Sequence, residues 1–185
     1  ERGDAVVVSG LGSPTWDLAA LGYDPRNVYL WGAMGGCVAM ALGLALARPE
    51  TPVLALTGDG EMMMGLGSLA VVAQQAPRNL AVVALDNGEY GETGAQRAHT
   101  APNAPNRADL ARIAEGCGIR DARTVTTEAE LAALAAVAPT LTAGPLFASV
   151  SIAPGPADRA AIGNAIKDMA YVRGRTRLAL GLTAD

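Results

Sequence analysis

The sequence predicts an α/β fold, a three-layer doubly wound sheet of about six mainly parallel strands. Short apolar runs rich in Val, Leu and Ile alternate with longer segments of helical periodicity, which is typical of a parallel sheet with crossover helices. Glycine follows almost every apolar run and marks a turn there. A chain of 185 residues with 50% hydrophobic residues supports one core, so we expect residues 1–185 to form a single domain.

Each predicted element follows from one of these segments. The apolar runs predict strands at residues 5–9, 27–30, 53–57, 80–85, 123–125 and 146–151. The segments between or after them predict helices at residues 14–21, 35–47, 62–75, 107–116, 128–138 and about 158–173. Thr127 and Glu130 have the spacing of a capping box, which indicates where the fifth of these helices begins.

The composition argues against several classes of partner. A net charge of -4 and a pI near 5.0 provide no basic field for nucleic acid, and 4% aromatic residues are too few for base stacking. The longest apolar run, residues 33–47, contains glycines and is shorter than the ~20 residues that span a membrane. Cys37 and Cys117 have no metal-ligand spacing and are expected to be reduced, buried thiols. The first residues do not have the pattern of a secretion signal, so the cytoplasm is the expected location.

The segment around Asp59 carries the clearest chemical signal. An apolar strand ends in Gly58, Asp59 and Gly60 and leads directly into a helical pattern that includes Glu61. This arrangement places Asp59 at the carboxyl edge of the sheet, where open α/β sheets bind ligands. Glycines allow the backbone to approach an anion, and a carboxylate can bind a hard cation, so the segment predicts a phosphate and Mg²⁺ site.

A second polar segment follows the next predicted strand. Asn87 lies 28 positions after Asp59, which is the length of one helix and one strand, and is followed by Glu89, Tyr90 and Gly91. Together the two segments resemble the diphosphate-binding motif of the thiamine diphosphate enzymes. The resemblance implies that the Asp59 side chain, the Asn87 side chain and the Glu89 carbonyl bind Mg²⁺, with phosphate oxygens and water completing the shell.

A third segment is similar to the same family. Gly32 and Met34 precede a helix of small residues, and Met34 stands 25 positions before Asp59. The resemblance implies that Met34 wedges between the two rings of thiamine diphosphate, while the Gly32 carbonyl and the Met34 N–H bind its aminopyrimidine. The cofactor contacts that it implies are Ser9, Gly10, Gly32, Met34, Gly58, Asp59, Gly60, Glu61, Asn87, Glu89, Tyr90 and Gly91.

Residues 87–106 are predicted to form a long active-site loop, because they contain glycines, prolines and polar residues without periodicity. By the resemblance, this loop lies over the thiazolium ring. His99 is the candidate catalytic residue as a proton shuttle, and Arg97, beside Gln96, is a candidate for binding a second anionic group of the substrate.

The resemblance covers about residues 5–173 and corresponds to the diphosphate-binding domain alone. A complete enzyme of this family also has a pyrimidine-binding domain that carries an activating glutamate. We therefore expect a β-type subunit that needs a pyrimidine-binding α-type partner, in an α2β2 or larger assembly, like the second subunit or half of sulfopyruvate and phosphonopyruvate decarboxylases. The expected reaction is Mg²⁺-dependent decarboxylation of a short 2-oxo acid.

Three alternatives stay open at this point. The same cofactor also serves carboligation to an acyloin and the 2-oxo acid oxidoreductases, although two isolated cysteines argue against an iron–sulfur cluster in this chain. The third alternative is a module without catalytic activity that binds a phosphate or nucleotide through the Gly-Asp-Gly turn.

Overall fold

The computed structural model describes residues 3–155 and 167–185. Its main sheet has six strands: β1 (Val6–Ser9), β2 (Asn27–Tyr29), β3 (Val53–Gly58), β4 (Leu80–Asp86), β7 (Asp121–Val125) and β8 (Leu146–Ser151). They lie in the order β2-β1-β3-β4-β8-β7, and all neighbouring strands are parallel. The predicted α/β fold and its six parallel strands are confirmed.

Seven α-helices surround the sheet within the described ranges. They are α1 (Ser13–Ala20), α2 (Cys37–Ala47), α3 (Asp59–Met64), α4 (Gly67–Gln75), α5 (Leu110–Gly116), α6 (Glu128–Val137) and α7 (Met169–Ala179). Side chains of α2, α3, α4 and α5 form one core with β1, β3, β4 and β8. On the opposite face, Leu18 of α1 packs beside Val7, and Leu134 of α6 packs against β4, β7 and β8. The three-layer arrangement follows from these two cores.

The helix predicted at residues 62–75 is wrong in its extent. The structure has two helices there, because the helix is interrupted at Gly65 and Leu66. The first helix begins earlier than predicted, at Asp59. The break has a packing cause. A Cβ at Gly65 would lie 2.4 Å from the carbonyl oxygen of Gly35, so the two glycines bring the turn before α2 directly against the α3–α4 junction.

Residues 87–106 contain more order than the predicted loop. β5 (Glu89–Tyr90) pairs antiparallel with β6 (Gln96–Arg97), and residues 91–93 form a 3₁₀ turn between them. The Ala98 N–H donates to the Gly88 carbonyl at 2.8 Å, and Thr100 is fully buried. The segment is therefore a hairpin that returns to the edge of the sheet.

The last helix is tied to the sheet edge at β2. The prediction for residues 158–173 falls partly outside the described residues, and α7 extends beyond it to Ala179. The Arg175 guanidinium donates to the carbonyls of Asp24 at 2.9 Å and Asn27 at 2.6 Å, and the Thr176 hydroxyl donates to the Pro25 carbonyl. These bonds fix α7 beside β2.

Other local predictions can be compared directly. The capping box is confirmed, since the Thr127 hydroxyl accepts from the Glu130 N–H while the Glu130 carboxylate accepts from the Thr127 N–H. Both cysteines are free, with Cys37 buried and Cys117 partly exposed. Across residues 3–155 and 167–185, the structure contains no helix with the length and apolar character needed to cross a bilayer.

The contact between Gly35 and Gly65 predicts that alanine destabilises the protein at Gly65 but not at Gly43, which has free space around it. Gly65→Ala is expected to lower the free energy of unfolding by about 1–3 kcal/mol, because its methyl group collides with a backbone carbonyl. Gly43→Ala is the matched control inside α2. A Cβ there meets no atom within 4 Å, so the change should raise stability by about 0.5–1 kcal/mol. Urea denaturation measures the free energy of unfolding of both variants. An unchanged value for Gly65→Ala would contradict the proposed contact.

Candidate active site

The carboxyl ends of β1, β3 and β4 meet at one edge of the sheet. Ser9 is the register partner of Leu56, and Gly58 is the partner of Leu85. The strand order reverses between β1 and β3, which is the position where open α/β sheets bind ligands. A cleft opens at this edge. Its lining includes nine of the predicted cofactor contacts: Met34, Gly58, Asp59, Gly60, Glu61, Asn87, Glu89, Tyr90 and Gly91.

Asp59 is buried at the base of the cleft. Its carboxylate accepts a short hydrogen bond from the Thr100 hydroxyl, at the end of the hairpin segment. Burial raises the pKa of Asp59 above its usual range, and the negative charge of Asp86 adds to this, while the Thr100 hydrogen bond opposes it. The carboxyl group is thus fixed in a position where a nearby cation would favour its charged form.

Asp86 and Arg107 extend this network. The Arg107 guanidinium donates to Asp86 at 3.1 Å and to the Thr100 carbonyl at 2.6 Å. Arg107 therefore connects the end of β4 to the residue that contacts Asp59. The charge of Asp86 is paired, and the Thr100 hydroxyl is fixed in its orientation toward Asp59.

Asn87 follows directly after β4, is half-buried and lines the same cleft as Asp59. Its side-chain oxygen accepts the N–H of Glu89 at 3.0 Å, which shapes the turn between β4 and β5. The Glu89 carboxylate accepts from the Gly155 N–H at 3.1 Å, so this side chain is directed toward the segment that follows β8. These contacts leave the Glu89 backbone carbonyl as the group available for the predicted ligand role.

Tyr90 and Glu92 line the cleft and contact its glycine turns. A Cβ at Gly60 would lie 2.5 Å from the Tyr90 ring, so the ring packs directly on the Gly60 backbone. The Trp16 indole donates to the Glu92 carboxylate at 3.0 Å, which joins α1 to the hairpin segment. Trp16 also packs edge-on against Trp31, with 5.3 Å between ring centroids.

Met34 borders the cleft from the turn between β2 and α2. Met34 is 37% exposed, and Gly35 beside it has φ +86°. Gly32 has φ +85° and lies outside the cleft lining, at the start of the same turn. The exposed thioether is a surface on which a ring could pack.

Three of the predicted cofactor contacts, Ser9, Gly10 and Glu61, are buried. Ser9 is fully buried, with its hydroxyl 2.8 Å from that of Thr15. Gly10 follows it and is covered by the side chain of Glu61. Glu61 is 3% exposed and accepts from the Thr57 hydroxyl at 2.9 Å. Burial raises the pKa of Glu61 above its usual range.

The structure does not bring the candidate catalytic histidine into the cleft. His99 is exposed, and it is not among the cleft-lining residues of the described chain. Arg97 is likewise exposed and pairs through its backbone with Glu89. The Gln96 amide bonds with Thr93 at 2.7 Å within the hairpin. The catalytic role of His99 stays a prediction from the sequence.

Sequence reasoning missed Thr100 and Arg107. Thr100 supplies the hydroxyl that contacts Asp59, 41 positions away, and Arg107 orients its backbone. No spacing signal marks either residue, because their contacts depend on how the hairpin folds back. The apolar positions around Thr100, at Ala98 and Ala101, are buried and could have indicated that this segment returns to the core.

The residues present fit a magnesium diphosphate group. Asp59, Asn87 and the Glu89 carbonyl offer oxygen ligands only, which is the chemistry that Mg²⁺ prefers. The described residues hold no cluster of three or more His, Cys, Asp or Glu side chains suited to a metal alone, so phosphate oxygens and water would complete the shell. The backbone at Gly58 is open as well, since a Cβ there would meet only Pro14, at 4.0 Å.

Comparisons with known proteins agree with this chemistry. The family described as "Thiamine pyrophosphate enzyme, C-terminal TPP binding domain" matches residues 11–150. Sulfopyruvate decarboxylase subunit beta of Methanothermobacter thermautotrophicus is 38% identical over 84% of this chain and 77% of its own length. Phosphonopyruvate decarboxylase of Streptomyces viridochromogenes is 38% identical over 84% of this chain and 37% of its own length.

The chain is short relative to some of its relatives. It spans 23% of a sulfopyruvate decarboxylase from Methanosarcina acetivorans, with 42% identity over 49% of this chain. Among solved structures, 2-oxoglutarate:ferredoxin oxidoreductase from Magnetococcus marinus superposes with a TM-score of 0.66 at 18% identity, over 90% of this chain and 67% of that chain. This likeness concerns the fold. By the extent of the family match and the similarity to subunit beta, the chain belongs to the thiamine pyrophosphate enzymes and forms their C-terminal, TPP-binding type of domain.

Proposed function

We propose that this chain is the β-type subunit of a thiamine diphosphate- and Mg²⁺-dependent decarboxylase that acts on a short 2-oxo acid. The observation that supports this most strongly is the placement of Asp59 and Asn87 at neighbouring strand ends, beside the open backbone at Gly58. Relatives named sulfopyruvate and phosphonopyruvate decarboxylase support the choice of reaction.

In this proposal, different residues of the cleft bind the cation, the diphosphate and the rings of the cofactor. Asp59, Asn87 and the Glu89 carbonyl would bind Mg²⁺, and the backbone of residues 58–60 would bind the diphosphate. Met34 would support the bent cofactor between its rings. Thiamine diphosphate, when bound, supplies the electron sink for cleavage of the bond to the carboxylate. The protein's part is to orient the substrate and exclude water.

The proposal includes a partner subunit. Met34 lines the cleft and is partly exposed. A pyrimidine-binding α-type subunit would cover Met34 and supply the activating glutamate, in an α2β2 or larger assembly. Relatives named "subunit beta" support a second chain.

Substitution of Asp59 tests the cofactor site. Asp59→Ala should weaken binding of thiamine diphosphate with Mg²⁺ by more than about 100-fold, because the cation loses its charged ligand. Asp121→Ala is the control, since that aspartate lies at the start of β7 and pairs with Arg123. Calorimetry on the chain purified with its partner measures both. Unchanged affinity in Asp59→Ala would contradict the proposed site.

The pH dependence of Mg²⁺ binding gives a second test. Burial raises the pKa of Asp59, so its carboxylate is fully available only above that raised value and is lost as the pH falls through it. Mg²⁺ affinity in the presence of thiamine diphosphate should therefore decline at a higher pH than an ordinary aspartate would produce, and binding should release protons. Calorimetry in two buffers of different ionisation enthalpy measures this release. An affinity that is constant down to about pH 4 would contradict a role for Asp59.

The division of the site between two chains predicts a dependence on the partner. Release of CO₂ from sulfopyruvate, phosphonopyruvate and unsubstituted short 2-oxo acids should be detectable with the partner present. The chain alone should be slower by at least about 1,000-fold, because it lacks the activating carboxylate. Full activity of the isolated chain would overturn the two-subunit arrangement.

A further inference from the structure

Glu61 has an unusual environment for an acidic residue. It is the third residue of α3 and is 3% exposed. The Thr57 hydroxyl donates to one of its carboxylate oxygens at 2.9 Å, while the other, Oε1, has no hydrogen-bond partner among the described residues. A buried charge-bearing group with an unpartnered oxygen is costly, so its presence calls for a specific task.

The carboxyl group lies where three backbone segments meet. Burial raises the pKa of Glu61, and the Thr57 hydroxyl and the backbone N–H groups of Cys37, Gly35 and Leu11 offset this only in part. None of these N–H groups has hydrogen-bond geometry to Oε1. Cys37 is the first residue of α2, an eleven-residue helix whose N-cap is Gly36 and whose first turn contains no acidic residue. Glu61 therefore places a negative charge at a helix N-terminus that lacks a capping side chain of its own.

Gly10 shows how closely the group fits. A Cβ at Gly10 would lie 1.5 Å from Oε2 of Glu61 and 2.4 Å from its carboxyl carbon, and the three nearest atoms all belong to Glu61. Gly10 does not have a positive φ, so alanine fits its backbone conformation. Its own position is fixed by its N–H, which donates to the Leu56 carbonyl, and by its carbonyl, which accepts from Thr15. The requirement for glycine there thus comes from Glu61.

We propose that Glu61 is a positioning residue whose carboxyl group fixes the turn at residues 10–12 against the β3–α3 corner. Gly12, at the end of that turn, and the backbone of residues 58–60 then line the cleft in a constant relation to each other. The inference deepens the proposed function and rests on it, because the value of this arrangement lies in binding a cofactor that contacts both. Glu61 acts through Gly10.

The steric contact allows a suppressor test on the full chain. Gly10→Ala should lower the melting temperature by more than about 5 °C, because its methyl group collides with the carboxylate. In a Glu61→Ala background the same change should cost less than about 2 °C, since the space is then empty. In a Glu61→Gln background the cost should stay large, because the amide has the same volume. Equal costs in all three backgrounds would overturn the assignment.

Cofactor affinity separates positioning from simple stability. Calorimetry with thiamine diphosphate and Mg²⁺ should show at least about tenfold weaker binding for Glu61→Ala and for the Gly10→Ala/Glu61→Ala pair, even though Gly10→Ala adds little loss of stability within that pair. Glu61→Gln should stay within about threefold of the parent, because it keeps an acceptor oxygen and the shape. Parent-like affinity in Glu61→Ala would refute the positioning role. If the parent itself does not bind the cofactor, the proposed function fails, while the melting temperatures still decide whether Glu61 fixes the Gly10 turn.

Discussion

The parallel pairing of β1, β3 and β4 is the constraint on which the candidate site depends. Asp59 and Asn87 are 28 positions apart, yet they become neighbours because Gly58 and Leu85 are register partners in adjacent strands. The same ladder places the turn after β1 beside the β3–α3 corner. The groups proposed to contact the diphosphate and the cation lie at this one edge, as expected from the topology of an open α/β sheet.

Two acidic residues on the first turn of α3, Asp59 and Glu61, are buried at this edge of the sheet, which is unfavourable for their charged forms. Asp59 is paired with Thr100, and Glu61 is paired with Thr57 on one oxygen only. Burial disfavours the charged form of both carboxyl groups, so neither residue is there for stability alone. A bound cation would favour the charged form of Asp59, whereas the Thr57 hydroxyl and nearby backbone N–H groups offset only part of the effect of burial on Glu61. The two residues thus differ in task, one facing the ligand and one supporting the wall.

The sequence was sufficient to predict the six strands and the position of the Gly-Asp-Gly corner, because apolar runs and glycine turns are local signals. The break between α3 and α4 was not predictable, since it depends on Gly65 meeting the Gly35 carbonyl across 30 positions. Thr100 and the buried state of Glu61 were missed for the same reason. Their partners are distant in sequence, and no periodicity or spacing records the contact. His99 is a candidate by residue type, and residue type alone does not predict where its loop directs the side chain.

The central claim is that this sheet edge binds a magnesium diphosphate group as one half of an active site. The most direct measurement is a crystal structure of the chain with its partner subunit, thiamine diphosphate and Mn²⁺ in place of Mg²⁺, with the metal located by anomalous scattering. The account predicts a metal peak bound by Asp59, Asn87 and the Glu89 carbonyl, with the cofactor bent over Met34 and its pyrimidine ring held by the partner. A metal peak away from Asp59 and Asn87, or a cofactor bound without contact to residues 58–60, would contradict it.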